Sequence, residues 1–201
     1  MIASDALLAL LSKVLGARVT QIRPIEYGQI AKAFFFQAQG QDFVVRFTQP
    51  NMAIGLHKDL YAYTHFTSPQ VPVPPVVCVD EYQGITYAIT RKMPGKTLDS
   101  FSGEAFEALI PSLIVTLDNI HQIDVRSAAG FGSFDGEGVG LFKSWPDFLR
   151  LVSEEEDERW FYGKWHTLFE TTFLDRGLFN SIFAEMAALL PFCPAERHLV
   201  H

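Results

Sequence analysis

The stretch AFFFQAQGQDFVVRF, residues 33–47, admits few conformations. Aromatic and β-branched residues fill both halves, and Gln39-Gly40-Gln41 between them is short and turn-prone. It predicts two antiparallel strands, 33–38 and 42–47, joined by a tight hairpin. Strand alternation puts Phe43, Val45 and Phe47 on one face and Val44 and Arg46 on the other. Ser4 and Asp5 suit a helix start, Leu7, Leu8, Leu11, Val14 and Leu15 recur at helical spacing, and Gly16 suits its end. No basic residue precedes this apolar run, so an amphipathic helix is expected and a secretory leader is not.

Around the hairpin the pattern stays extended. Residues 19–25 form a further candidate strand, followed by the turn Tyr27-Gly28-Gln29. GLHKDLYAYTHF, residues 55–66, places Leu56, Leu60 and Tyr63 on one helical face. The prolines of VPVPP then forbid helix and leave an extended connector. Residues 76–79 and 85–90 read as another strand pair around a turn at 80–84. The breaker-rich RKMPG, starting at Arg91, marks the change of texture. Beyond it a long helix is expected from a Ser102 cap to His121, kinked or restarted at Pro111. A glycine-rich loop at 129–140 follows, then a Ser144-capped helix through Val152, an aromatic helix, and a helix at 178–190. The closing RHLVH reads as a strand. Strands first and helices after them indicate an α+β chain with two parts, 1–92 and 93–201.

Charge follows the same division. The net charge is −7, which argues against general nucleic-acid binding, since neutralising phosphates requires basic patches. Residues 1–92 carry a balance of +2 and residues 93–201 a balance of −9, suited to ligands of opposite sign. The run Glu154-Glu155-Glu156-Asp157-Glu158 is a solvated face or a lure for a polycation. No apolar window is long enough to span a membrane. Cys78 and Cys193 stand apart without ligand spacing, which fits buried thiols in a reducing cytoplasm. His121, His166 and His198 likewise lack metal-ligand spacing. The glycines of 130–140 follow a predicted helix rather than a strand, so a dinucleotide fingerprint fails its context.

Arg46 is the charge that stands out. It is either a solvated strand arginine or a cation presented to phosphate. The second role calls for an orienting carboxylate, for which Asp59 and Glu26 are available. Gly28 could let the turn after the first strand approach phosphates through backbone N–H groups.

The order of AFFFQAQGQDFVVRF, KDLYAYTHF, VPVPPV, ITYAITRKMPGKTL, GFGSFDGEGVGLFKSWPDFL and CPAERHLVH resembles the aminoglycoside phosphotransferase family, most of all its hygromycin B branch. The resemblance covers nearly the whole chain. It implies a protein-kinase-like fold with a sheet-rich nucleotide-binding N-lobe at 1–92, and a hinge with a partial helical C-lobe at 93–201. It also implies ATP and Mg2+ as cofactors, and phosphoryl transfer to a hydroxyl of a small cationic substrate. Arg46 then takes the place of the third-strand lysine at the nucleotide phosphates, with Asp59 near the helix acid that pairs with it. Thr90, Arg91, Lys92 and Met93 fall on the adenine-binding hinge. His-Leu-Val-His introduces the catalytic loop, patterned H-(G/A)-D-x-x-x-x-N, whose Asp orients the substrate hydroxyl and whose Asn helps hold magnesium. A later Asp in the family binds the metal directly. These 201 residues contain none of the three, and Asp135, Asp147 and Asp175 lack the motif context to replace them. Two expectations follow: a family phosphotransferase inactive as these residues alone, or a non-catalytic kinase-like module that binds nucleotide or another ligand.

Overall fold

The computed structural model describes residues 4–26, 31–154 and 165–200. The expected elements of the first part form in order: α1 (Ser4–Leu15), β1 (Val19–Ile25), β2 (Lys32–Ala38), β3 (Gln41–Thr48), α2 (Ile54–Phe66), β4 (Val76–Tyr82) and β5 (Ile85–Arg91). The strands build one antiparallel sheet in the order β1-β2-β3-β5-β4.

Two turns fix the sheet's registers. Gln39-Gly40 joins β2 to β3 and Gln83-Gly84 joins β4 to β5, and all four residues have positive φ, from 51° to 75°. Two consecutive positive φ values give the turn a twist that matches the flanking strands, and glycine takes the second position without steric penalty. The second hairpin is longer than its sequence suggests, because β4 runs through Asp80 and Glu81 to Tyr82. An edge strand can carry such polar residues on its solvent side.

The alternation read from β3 holds. Phe43, Val45 and Phe47 are buried, with Phe36 and Ala38 from β2 and Tyr87 and Ile89 from β5 beside them. Leu7, Leu10 and Leu11 of α1 close this face, and Leu11 and Val45 are fully buried. Each such side chain contributes about 1.5–3 kcal/mol relative to exposure. The opposite face carries Val44, Arg46 and Thr48 of β3, paired with Thr90, Ala88 and Thr86 of β5.

Downstream, the long helix is two: α3 (Glu104–Glu107) and α4 (Ile110–His121). Gly103, not Ser102, occupies the N-cap of α3, without a side-chain bond, and Pro111 sits in the first turn of α4. Proline lacks an N–H and so opens a helix more readily than it continues one. The expected glycine loop contains a hairpin, β6 (Phe131–Phe134) with β7 (Gly140–Phe142). A Cβ on Gly130 would strike the Gly140 carbonyl oxygen, so glycine is what lets these backbones approach. Then come α5 (Trp145–Arg150), α6 (Leu168–Thr171) and α7 (Arg176–Leu189). Ser144 caps α5 by accepting from the Asp147 N–H, as expected. RHLVH is not a strand over its described residues, 197–200. A strand exists only through a paired neighbour, and no described segment pairs with it.

Two compact units result. One comprises Met1–Asp124 with Asp135–Gly138 and His198–His201, and the other Val125–Phe134 with Val139–Arg197. Residues 93–124 therefore cluster with the sheet. In the second unit, Phe142 and Phe148 meet edge to face beside Gly132, Trp145 stacks on Phe148, and Trp165, Phe169 and Phe179 form another aromatic group. Both α4 and α7 leave apolar flanks exposed, at Ile114 and Val115 and at Leu178, Ile182 and Leu189. Among the described residues no helix is long and apolar enough to cross a membrane.

Candidate functional site

Arg46 is placed by its strand. β3 has β2 on one side and β5 on the other, so the backbone at Arg46 is held in two ladders. Alternation turns its side chain away from the core beneath α1. The guanidinium Nη2 donates to Asp59 Oδ2 at 2.5 Å. Asp59 comes from the second turn of α2, 13 residues on. Of the two carboxylates available in the sequence, Asp59 is the partner and Glu26 is not. The contact is through a single nitrogen, which leaves the rest of the guanidinium fork for another acceptor.

The stretch expected to form the hinge lies at the end of β5. Thr90 is buried, within a ladder that pairs it with Val44 and Val76. Arg91 N–H donates to Pro75 O at 2.9 Å and Lys92 N–H to Asp42 O at 3.0 Å. The Lys92 ammonium lies 3.9 Å from the Asp42 carboxylate and 5.2 Å from the Phe35 ring centroid. Met93 is exposed. Asp42 is the residue sequence reasoning missed. Its carboxylate also accepts from Gln37 Nε2 at 2.7 Å, so it ties the β2–β3 hairpin to Lys92. An acid at a hairpin's strand start is common, and no pattern in the sequence links it to a lysine 50 residues later. Gly28 and the acidic residues 155–158 lie outside the described residues.

The other acids considered do local structural work. Asp175 accepts the Leu178 N–H at 2.6 Å as the N-cap of α7, Asp147 sits in the first turn of α5, and Asp135 Oδ1 accepts the Glu137 N–H. His198 Nδ1 lies 3.3 Å from His121 O. No group of three or more His, Cys, Asp or Glu among the described residues could hold a metal ion. Both cysteines are free and partly buried, less enclosed than expected, and burial pushes the Cys78 thiol up.

A profile of the phosphotransferase enzyme family matches residues 21–201, nearly all of the chain. The chain belongs to that family. It is 28% identical over 187 residues to the hygromycin-B 4-O-kinase of Escherichia coli, covering 91% of this chain and 51% of that protein. It therefore spans about half the length of the curated relative it matches. The structure is similar to that of aminoglycoside phosphotransferase APH(4)-Ia, with a TM-score of 0.75 and 26% identity over 98% of this chain and 63% of that one. A thermostable mutant of that enzyme, in a ternary complex with AMP-PNP and hygromycin B, gives a TM-score of 0.74 at 26% identity, covering 96% of this chain and 62% of that one. The fold is the α+β, protein-kinase-like fold of the aminoglycoside phosphotransferases.

Proposed function

We propose that these residues form the nucleotide-binding part of an ATP-dependent phosphotransferase that transfers the γ-phosphoryl group to a hydroxyl of a small cationic, aminoglycoside-like substrate. The observation that carries this reading is the Arg46–Asp59 pair. Phosphoryl transfer relies on positioning and charge neutralisation. A guanidinium on a central strand, braced by a helix carboxylate, fits a triphosphate's charge, and its planar fork can donate to two oxygens of one phosphate. The relative solved with AMP-PNP and hygromycin B supports both ligand classes.

At the hinge, residues 91 and 92 already use their N–H groups within the chain, and Thr90 lies inside the ladder. Met93 therefore supplies the backbone donor for the adenine edge. With residues 1–92 as the nucleotide lobe, adenine would lie against the C-terminal end of β5 and the phosphates against Arg46. ATP would bring the transferable group, and Arg46 would hold its phosphate charge in place. The catalytic Asp and the metal ligands of the family motif are not among these 201 residues. The chain as given binds nucleotide without transferring phosphate.

Calorimetry with AMP-PNP tests the first half of this reading, and a coupled assay with ATP, magnesium and hygromycin B tests the second. Saturable AMP-PNP binding with no turnover is expected. Absence of binding would remove the nucleotide site, and turnover by the purified chain would remove the claim that these residues lack the transfer machinery.

A further inference from the structure

Residues Asp135–Gly138, between β6 and β7, belong to the sheet unit, and there they pack on α2. The approach is closer than any residue but glycine allows. A Cβ on Gly136 would meet the His57 Cβ at 2.7 Å, and one on Gly138 would strike the Tyr61 ring. Neither obstacle is free to step aside. The His57 Cβ is fixed by its helix backbone, and the Tyr61 ring stacks on His65, with centroids 4.0 Å apart, and meets Phe66 edge to face. The segment is stiff as well, because Asp135 O accepts the Gly138 N–H and Asp135 Oδ1 the Glu137 N–H.

The face of α2 that these residues meet is the one opposite Asp59. His57 and Tyr61 stand one turn apart, and Asp59, midway between them, points about 160° away from both. Leu56, the buried residue of the helix, shares the Asp59 side. The helix therefore lies between two contacts, with Leu56 and the Arg46–Asp59 pair toward the sheet and the glycine segment behind it. A helix with one buried residue is lightly held by the sheet side alone, and low local burial permits local opening. Contact on its outer face restricts the shift that would carry the Asp59 carboxylate away from the guanidinium.

We propose that Asp135–Gly138 is a positioning segment: seated on His57 and Tyr61 through Gly136 and Gly138, it holds Asp59 against Arg46. Its effect on ligand affinity rests on the nucleotide reading above, whereas its hold on α2 has a readout of its own.

Hydrogen exchange followed residue by residue, together with AMP-PNP calorimetry on the intact chain, tests this, with folding checked by thermal melting. Gly136 does not have a positive φ, so in Gly136→Ala the added methyl meets His57 without straining the backbone. Exchange at residues 57–62 should quicken at least about fivefold, and by more than in β3. AMP-PNP binding should weaken about two- to fivefold, the loss expected when Asp59 itself is removed, and in an Asp59→Ala background the same change should add nothing. Tyr61→Ala, which takes away the ring beneath Gly138 without adding bulk, should act in the same direction. Gly16→Ala strains a positive φ at the end of α1 with open space around it, and should leave α2 exchange and affinity within about twofold. Unchanged α2 exchange in Gly136→Ala and Tyr61→Ala would overturn the proposal. So would faster α2 exchange with unaltered AMP-PNP affinity, or an equal loss of affinity with and without Asp59, since the segment would then not act through that carboxylate. An unaltered chain that binds no AMP-PNP would refute the nucleotide reading instead, and the exchange comparison would still decide whether the segment holds α2.

Discussion

Removing Asp59 separates what the Arg46 pair does for the fold from what it does for a ligand. The contact is one nitrogen to one oxygen at 2.5 Å, with side chains 33% and 43% exposed. Water screens a pair this open, so its share of folding stability is about 0.5–1 kcal/mol, the upper part of the range for surface ion pairs. The ligand sees more. A charge-assisted hydrogen bond from Arg46 to a phosphate contributes about 1.5–3 kcal/mol, so Arg46→Ala should weaken AMP-PNP binding roughly tenfold to a hundredfold. Asp59→Ala keeps the cation but frees its plane. It should cost about 0.5–1 kcal/mol, a two- to fivefold loss. In the double variant the Asp59 change should add nothing, because the group it orients is gone. Calorimetry on the four proteins, with urea denaturation alongside, closes the cycle. If Asp59→Ala weakened AMP-PNP binding equally with and without Arg46, the carboxylate would act on the nucleotide independently and the bracing argument would fail.

Two further predictions concern the sheet unit. Leu11→Ala empties a fully buried position on the sheet-facing side of α1 and should cost about 3–5 kcal/mol in urea denaturation, whereas Leu178→Ala on the exposed flank of α7 should change stability by no more than about 0.5 kcal/mol. Comparable effects would mean that the core does not lie under α1. Tyr87 is 1% exposed, and burial, with Cys78 and Asp80 adding to it, pushes its hydroxyl up to about 12. An unfolded tyrosine ionises near ~10. The folded value is the higher one, so this contribution is complete below pH ~10 and fades as the pH rises to about 12. Denaturation midpoints across that window should fall, and Tyr87→Phe should flatten the fall. An unchanged alkaline slope in the variant would contradict the assignment.

The sheet was legible because its information is local. Alternation in residues 43–47 and the Gln-Gly turn state both the strands and their faces. β4 was read short because Asp80 and Glu81 resemble turn residues, and only its edge position explains them as strand. The β6–β7 hairpin was hidden by its glycines, which carry no strand propensity yet are required where Gly130 meets Gly140. RHLVH has a strand's composition, but pairing depends on a neighbour that composition does not name. At the site, Arg46 was visible as an out-of-place charge and Asp59 as a carboxylate on the following helix. The anchoring of Lys92 by Asp42 was not, since it joins residues far apart in the chain through tertiary packing alone.

The strand order has a consequence for how such a protein tolerates change. β3, in the middle of five, is shielded on both edges, so its amides exchange with solvent only when the whole sheet opens. Asp59 rides on a helix with only Leu56 buried along its length, which can shift or fray while the sheet stays closed. Drift at β1 or β4 would lower the amount of folded protein without altering the affinity of the molecules that fold. Drift along α2 would do the reverse, tuning how well Arg46 is held in a population whose abundance hardly changes.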